Sequence, residues 1–203
     1  MAETKVELNK TALLVIDMQN SFVKDKEGFF AELYKLLQSN RVVDNIAKVI
    51  KAARRVGIPI MYTKAGHRKD HSDVAQTIID LEPSKKMSII VEGTPEAEIV
   101  DELKPSADDY IITKRRHGAF YNTDLELLLR SRRLDTLIVT GVLTDACVAD
   151  TITGARERDF HVIILSDCCA SMTKERHEYW ISNVFPRKGR VRTSDEIVAV
   201  LAG

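Results

Sequence analysis

Short apolar runs alternate along this chain with longer segments whose apolar residues recur every three to four positions. Residues 11–17 (TALLVID), 58–63 (IPIMYT), 109–114 (DYIITK), 136–141 (TLIVTG) and 160–166 (FHVIILS) are runs of the first kind. A strand with one wet face alternates apolar and polar residues, whereas an uninterrupted apolar run marks a strand covered on both faces. Segments 41–56, 95–103, 123–132, 145–158 and 174–184 carry helical period, and 194–201 reads as a short closing helix capped by Ser194. Strand, helix, strand, helix with buried strands predicts an α/β fold of three layers. Its core is a doubly wound, mostly parallel sheet with helices on both faces, Rossmann-like in plan. Residues 24–39 and 65–92 are less regular and read as excursions over the sheet rim, where substrate contacts arise.

Composition narrows the function classes. The 203 residues fit one domain spanning 1–203, with 44% hydrophobic and 30% charged positions. Lys plus Arg equals Asp plus Glu at 30 each, so no net field gathers nucleic acid or an anionic membrane. The basic clusters at 54–55, 114–116 and 130–133 read as solvated helix faces. No run approaches the roughly 20 apolar residues of a membrane span, and the first ten residues carry no apolar signal region. Three cysteines, Cys147, Cys168 and Cys169, make no disulfide framework and point to a reducing, cytoplasmic setting. The adjacent pair suits small buried side chains rather than a disulfide.

In parallel α/β sheets ligands sit beyond the carboxyl ends of the strands. Asp17 ends the first run and Lys114 the third. Cys147 follows the 136–141 run by a short turn and enters the next helix. A carboxylate, an ammonium and a thiol thus emerge at one rim. With Thr144 as N-cap, Cys147 would be the third helical residue, where free N–H groups and a neighbouring Lys lower a thiol pKa. Asp17 can then take the thiol proton and return it to a leaving amine. Singly, each residue has a plainer reading: a strand-end cap, an exposed lysine, a small core thiol. His161 and His177 read as structural histidines, and Trp180 as core or subunit contact.

Three blocks, LLVIDMQNSFV (13–23), TKRRHGAFYNTDLELLLR (113–130) and TLIVTGVLTDACVADTITGAR (136–156), resemble the signature blocks of the isochorismatase-like cysteine hydrolases. The later SDCCAS with His177 is similar too, so the resemblance runs from about residue 12 to 201. It implies an Asp17–Lys114–Cys147 triad. It also implies a non-proline cis peptide between Val142 and Leu143, aiming the N–H of Leu143, with that of Cys147, into an oxyanion hole. Retention of Cys147 favours amidohydrolases over isochorismatase-type ether hydrolases that release pyruvate. Nicotinamidases of this family hold a divalent cation through an Asp-x-His and a further His. Here Ala65 stands where the Asp is expected, leaving His67 and His71, with Asp70 or Asp73, as weak candidates. The expectation is therefore no metal and no cofactor. KRRHGAFYNT most resembles the ureidoacrylate and carbamoyl-amide branch, implying a small linear amide or ureido substrate. Asn20 and Phe22 are candidate pocket walls, with ordinary core packing the stronger single alternative for Phe22. Arg116 and His117 are candidates for binding a substrate carboxylate, or else face solvent or a partner subunit. The resemblance further implies a homodimer or homotetramer. A non-enzymatic binding protein of the same fold is the remaining alternative.

Overall fold

The computed structural model describes residues 6–81 and 89–202; residues 82–88 of the 65–92 excursion thus lie outside the described residues. Among these, β1 (Thr11–Ile16), β2 (Ile60–Ala65), β3 (Tyr110–Lys114), β4 (Thr136–Val142), β5 (His161–Ala170) and β6 (Arg190–Arg192) form one sheet. Its order is β3-β2-β1-β4-β5-β6 and the pairings are parallel throughout. The winding reverses between β1 and β4, which opens a crevice at the carboxyl ends of those two strands. The helices are α1 (Asn20–Val23), α2 (Ala31–Ser39), α3 (Val42–Arg55), α4 (Gln76–Leu81), α5 (Leu125–Ser131), α6 (Ala149–Arg156), α7 (Lys174–Tyr179) and α8 (Ser194–Ala202).

β1 shows why the chain takes three layers. Successive side chains of a strand point to opposite faces, and every residue of β1 is buried. Leu13 and Val15 belong to one buried cluster with Leu33 and Leu37 of α2, Ile46 and Val49 of α3, and Ile197 and Leu201 of α8. Ala12, Leu14 and Ile16 pack with Leu125 and Leu129 of α5 and Ile152 and Ala155 of α6. Each such Leu, Ile or Val contributes about 1.5–3 kcal/mol on burial, and β1 supplies residues to the buried clusters on both faces of the sheet. α3 meets the sheet through Val42, Ile46, Val49, Ile50 and Ala53, while Asp44, Lys51, Arg54 and Arg55 stay exposed.

Several elements differ from the sequence reading. The 95–103 segment is two 3-10 turns, Pro95–Ala97 and Asp101–Leu103, instead of one helix. Its backbone bonds to the stretch after β1: Asn20 N donates to the Glu98 carbonyl at 2.8 Å and Val100 N to that of Met18 at 3.0 Å. The closing helix is capped by Thr193 rather than Ser194. Glu196 N donates to Thr193 Oγ1 at 3.3 Å and Thr193 N to Glu196 Oε2 at 2.7 Å, a reciprocal capping box. Ser194 Oγ instead donates to Asp167 Oδ2 at 2.6 Å. The 24–39 excursion contains α2, and 174–184 continues from α7 into a π-helical turn, Trp180–Val184. β6 is a three-residue edge strand, too short and too charged to show periodicity.

One glycine fixes how closely β1 and β4 approach. Gly141 lies opposite Ile16 with φ 113, and a Cβ there would stand 2.0 Å from the Ile16 carbonyl oxygen. Both the clash and the left-handed φ exclude a larger residue. Gly141→Ala should therefore lower stability by about 2–4 kcal/mol in urea denaturation; an unchanged midpoint would refute this packing.

Candidate active site

Asp17 follows the last residue of β1 and takes φ 53, a left-handed conformation that Asp tolerates better than most L-residues. Its N–H donates to Thr63 of β2, whose carbonyl and Oγ1 both stand at 3.2 Å. Thr63 Oγ1 in turn donates to Asp17 Oδ1 at 2.6 Å. Two residues on, the Gln19 amide binds the end of β2. Its Oε1 accepts from Ala65 N at 2.8 Å, and Nε2 donates to the carbonyls of Ala65 and Ala97, each at 2.8 Å. The carboxylate is thus held by the backbone turn and by a hydroxyl.

Lys114 ends β3, two strands from β1. Two strand spacings make about 10 Å, so only a long side chain crosses the end of β2 to reach Asp17. Lys114 Nζ lies 2.7 Å from Asp17 Oδ2 and donates to Cys147 Sγ at 3.2 Å and to the Arg116 carbonyl at 3.1 Å. Beyond the Lys114 ion contact, Asp17 Oδ2 has no hydrogen-bond partner among the described residues. Exposure is 0% for Asp17, 2% for Lys114 and 8% for Cys147.

Cys147 lies in a π-helical turn, Thr144–Val148, that joins β4 to α6. The expected cap is displaced by one residue. Leu143 is the N-cap, its carbonyl accepting from both Ala146 N and Val148 N at 3.1 Å. Cys147 is therefore the fourth residue of the turn. Thr144 points its hydroxyl to His177 Nδ1 on α7 at 2.9 Å instead of capping the turn. The Val142–Leu143 peptide is cis.

Burial sets the protonation pattern. Burial raises the Cys147 thiol to about 12, an effect that Lys114 opposes and Asp17 reinforces. This reverses the lowering expected from a helix N-terminus and a nearby lysine: the resting sulfur is a neutral thiol. Burial alone would lower the Lys114 ammonium, but Asp17 and the sulfur outweigh it and hold it raised. The sulfur therefore rests as a thiol against the Lys114 ammonium, and that ammonium also contacts Asp17 Oδ2 at 2.7 Å.

A cavity of about 120 Å³ opens onto Cys147 and Lys114. Phe22, Phe30, Val74, Ile90 and Leu143 give it an apolar wall, and His67, Arg115, Arg116 and His117 supply polar edges. Phe22 and Phe30 stack edge to face at 4.7 Å. Of the residues singled out from sequence, Phe22, Arg116 and His117 line this cavity. Asn20 does not: its Nδ2 donates to the Pro95 carbonyl at 2.8 Å, and it borders a larger, more open adjoining cavity that shares Phe30, Ile89 and Ile90 with this one. His67 lines the cavity and sits 3.3 Å from Asp73, whereas His71 is exposed and outside the lining. Ala65 also lines it, where a carboxylate would be needed to join them. No group of three or more metal-binding side chains occurs among the described residues. Thr63, Gln19 and Phe30 were missed in sequence. Thr63 closes the apolar run 58–63 in the sequence, so the rule that picks Asp17 and Lys114 from run ends would have picked it too, although β2 itself continues to Ala65. Cys168 and Cys169 are buried free thiols held neutral by burial.

The isochorismatase domain model matches residues 11–196. The chain is 30% identical over 171 residues to the ureidoacrylate amidohydrolase RutB of Methylorubrum extorquens, covering 77% of this chain and 68% of that protein. The structure superimposes on a cysteine hydrolase from Pseudomonas syringae pv. phaseolicola with TM-score 0.85 and 29% identity, over 97% of this chain and 94% of that one. It matches N-carbamoylsarcosine amidase from Thermoplasma acidophilum with TM-score 0.71 and 29% identity, over 92% and 97% of the two chains. This chain belongs to the isochorismatase family of hydrolases. No helix among the described residues is long and apolar enough to cross a membrane.

The buried thiol carries a pH signature. Without substrate, alkylation of Cys147 by iodoacetamide should be slow near neutral pH and climb through about pH 9–11, because the thiolate is the reacting form. A rate that levels off below about pH 8 would contradict the neutral resting thiol.

Proposed function

We propose that this protein hydrolyses a C–N bond in a small amide or ureido compound, with Cys147 as nucleophile, Asp17 as proton carrier and Lys114 as the cation that organises both. One observation carries the reading: the Lys114 ammonium joins the Cys147 thiol at 3.2 Å to the buried Asp17 carboxylate at 2.7 Å, and Lys114 and Cys147 line a small cavity. The names of the matched RutB amidohydrolase and N-carbamoylsarcosine amidase support the same bond class.

The steps follow from the protonation pattern. Substrate enters and Asp17 Oδ2 removes the thiol proton as sulfur attacks the carbonyl carbon. Lys114 stabilises the forming thiolate, and the N–H groups of Leu143 and Cys147 receive the oxyanion. Asp17 gives its proton to the departing nitrogen, leaving a thioester or, from a ureido group, a thiocarbamate on sulfur. Asp17 then deprotonates water, which attacks that carbonyl; the acid or carbamate departs and the proton returns to sulfur. Phe22 and Phe30 exclude bulk water and favour a small, linear substrate. The reaction needs no group beyond these side chains and water.

Ammonia release from N-carbamoyl amino acids, ureidoacrylate analogues, biuret and nicotinamide tests the reading directly. At least one compound should be turned over, Cys147→Ala should lower kcat about 10³-fold or more, and Asp17→Asn about 10²–10⁴-fold. Full turnover by Cys147→Ala would overturn the assignment, as would pyruvate release from a vinyl ether in place of ammonia. Thr63→Val, which removes one hydrogen bond to the buried carboxylate, should cost about 10–100-fold in kcat with KM little changed. Wild-type kinetics in that variant would show that the hydroxyl does not orient Asp17.

A further inference from the structure

Two cavities meet at the apolar wall of the site. The one that holds Cys147 and Lys114 measures about 120 Å³, and a larger, more open one of about 740 Å³ lies against it. Phe30, Ile89 and Ile90 border both. The lining changes across this partition, from Phe22 and Leu143 on the catalytic side to Asn20, Lys24, Thr94 and Asp101 on the other. Phe30 carries the largest side chain of the three shared residues. It is buried, although residues 24–28 just before it are mostly exposed. Two sets of contacts hold it. The Asp25 carboxylate accepts from Gly28 N at 2.7 Å through Oδ1 and from Phe30 N at 2.8 Å through Oδ2, closing the turn that leads into α2. A Cβ on Gly28 would collide with that carboxylate, so the turn is tight. The ring itself stands edge to face against Phe22 at 4.7 Å and against Phe29 at 5.0 Å.

Resting on the hydrolase reading above, we infer that Phe30 is the specificity-determining residue that limits the length of substrate accepted at Cys147, with Asp25 as its positioning residue. A linear chain attached to the reacting carbon runs along the apolar wall, and the Phe30 ring stands where that wall borders the second cavity. A ring held between two aromatic neighbours and fixed at its backbone by a carboxylate yields little. Methylenes forced against side chains packed in this way cost binding. Ile89 and Ile90 share the boundary with smaller side chains, and the Ile90 carbonyl is already engaged by His67 N at 2.7 Å. Truncation of Phe30 joins the catalytic cavity to the larger one, whose open, polar lining imposes no shape on an arriving tail. The wild-type chain thus selects short substrates by an aromatic partition with open space behind it.

Alkylation of Cys147 by iodoacetamide and by its N-propyl and N-hexyl derivatives measures the reach of the cavity without turnover. The reaction is followed as the mass of the peptide containing Cys147, at one pH, with each rate divided by that of the same reagent with glutathione. The wild type should react with the N-hexyl reagent at least about tenfold more slowly than with iodoacetamide. Phe30→Ala should bring the two rates to within about threefold of each other. Phe30→Leu, which keeps an apolar side chain if the alanine variant fails to fold, should fall between. Asp25→Ala leaves the ring but removes its tether, and should relax the discrimination part of the way. Asp25→Asn retains one acceptor oxygen and should restore most of it, a rescue that general loss of stability would not produce. Wild-type rates independent of chain length, a ratio unchanged in both Phe30 variants, or relaxation in Ile90→Ala alone would overturn this inference and leave the hydrolase reading intact. An enzyme that releases ammonia from no compound in the screen above would remove the hydrolase reading, and the substrate claim with it, whatever the alkylation ratios.

Discussion

The buried ion pair between Asp17 and Lys114 is the constraint around which the rest of the site is arranged. A carboxylate and an ammonium removed from water each lose several kcal/mol of hydration, and they stay ionised only when every remaining polar atom is well placed. Here the 2.7 Å contact, the Thr63 hydroxyl on Oδ1 and the backbone tie to β2 supply those partners. The pair also sets the state of the sulfur. With Lys114 drawn toward Asp17, burial prevails at Cys147 and the thiol keeps its proton until a substrate makes its removal worthwhile.

The fold makes this arrangement possible because parallel strands end together. β1, β2 and β3 deliver Asp17, Thr63 and Lys114 to one rim, and the reversal of winding between β1 and β4 leaves the crevice into which the turn bearing Cys147 inserts. Gly141 lets β4 run close against β1 at Ile16, the residue before Asp17. The turn is further held from the far side by α7, where His177 meets Thr144 and Arg176 approaches Asp145 at 3.8 Å. A residue that reads as structural in the sequence is structural here in a particular sense: His177 contacts Thr144 at the start of the turn that carries Cys147.

The sheet was legible because burial on both faces removes polar residues from a strand, and TALLVID or TLIVTG cannot be mistaken for a solvated element. The gathering of Asp17, Lys114 and Cys147 at one rim was legible because strand ends in such a sheet are fixed once the strands are known. What escaped depended on contacts distant in sequence. Residues 95–103 have helical spacing, yet their N–H and C=O groups pair with residues 18–20, a partner no local pattern shows. Thr144 looks like a cap until His177, 33 residues away, claims its hydroxyl. The sign of the thiol shift was misjudged for the same reason, since a helix terminus and a lysine are visible in sequence but the extent of burial is not. Asn20 stood beside Asp17 in sequence and was turned away by the Pro95 carbonyl.

The central claim is that the carbonyl carbon of the substrate becomes bonded to Cys147 Sγ during turnover. Rapid acid quenching of the enzyme with its best substrate, followed by peptide mass analysis, tests this most directly. The account predicts an acyl or carbamoyl mass increment confined to the peptide containing Cys147 and absent from Cys147→Ala. Turnover with no adduct on that peptide under conditions where chemistry is fast and release slow, or an adduct on Cys168 or Cys169 instead, would contradict it.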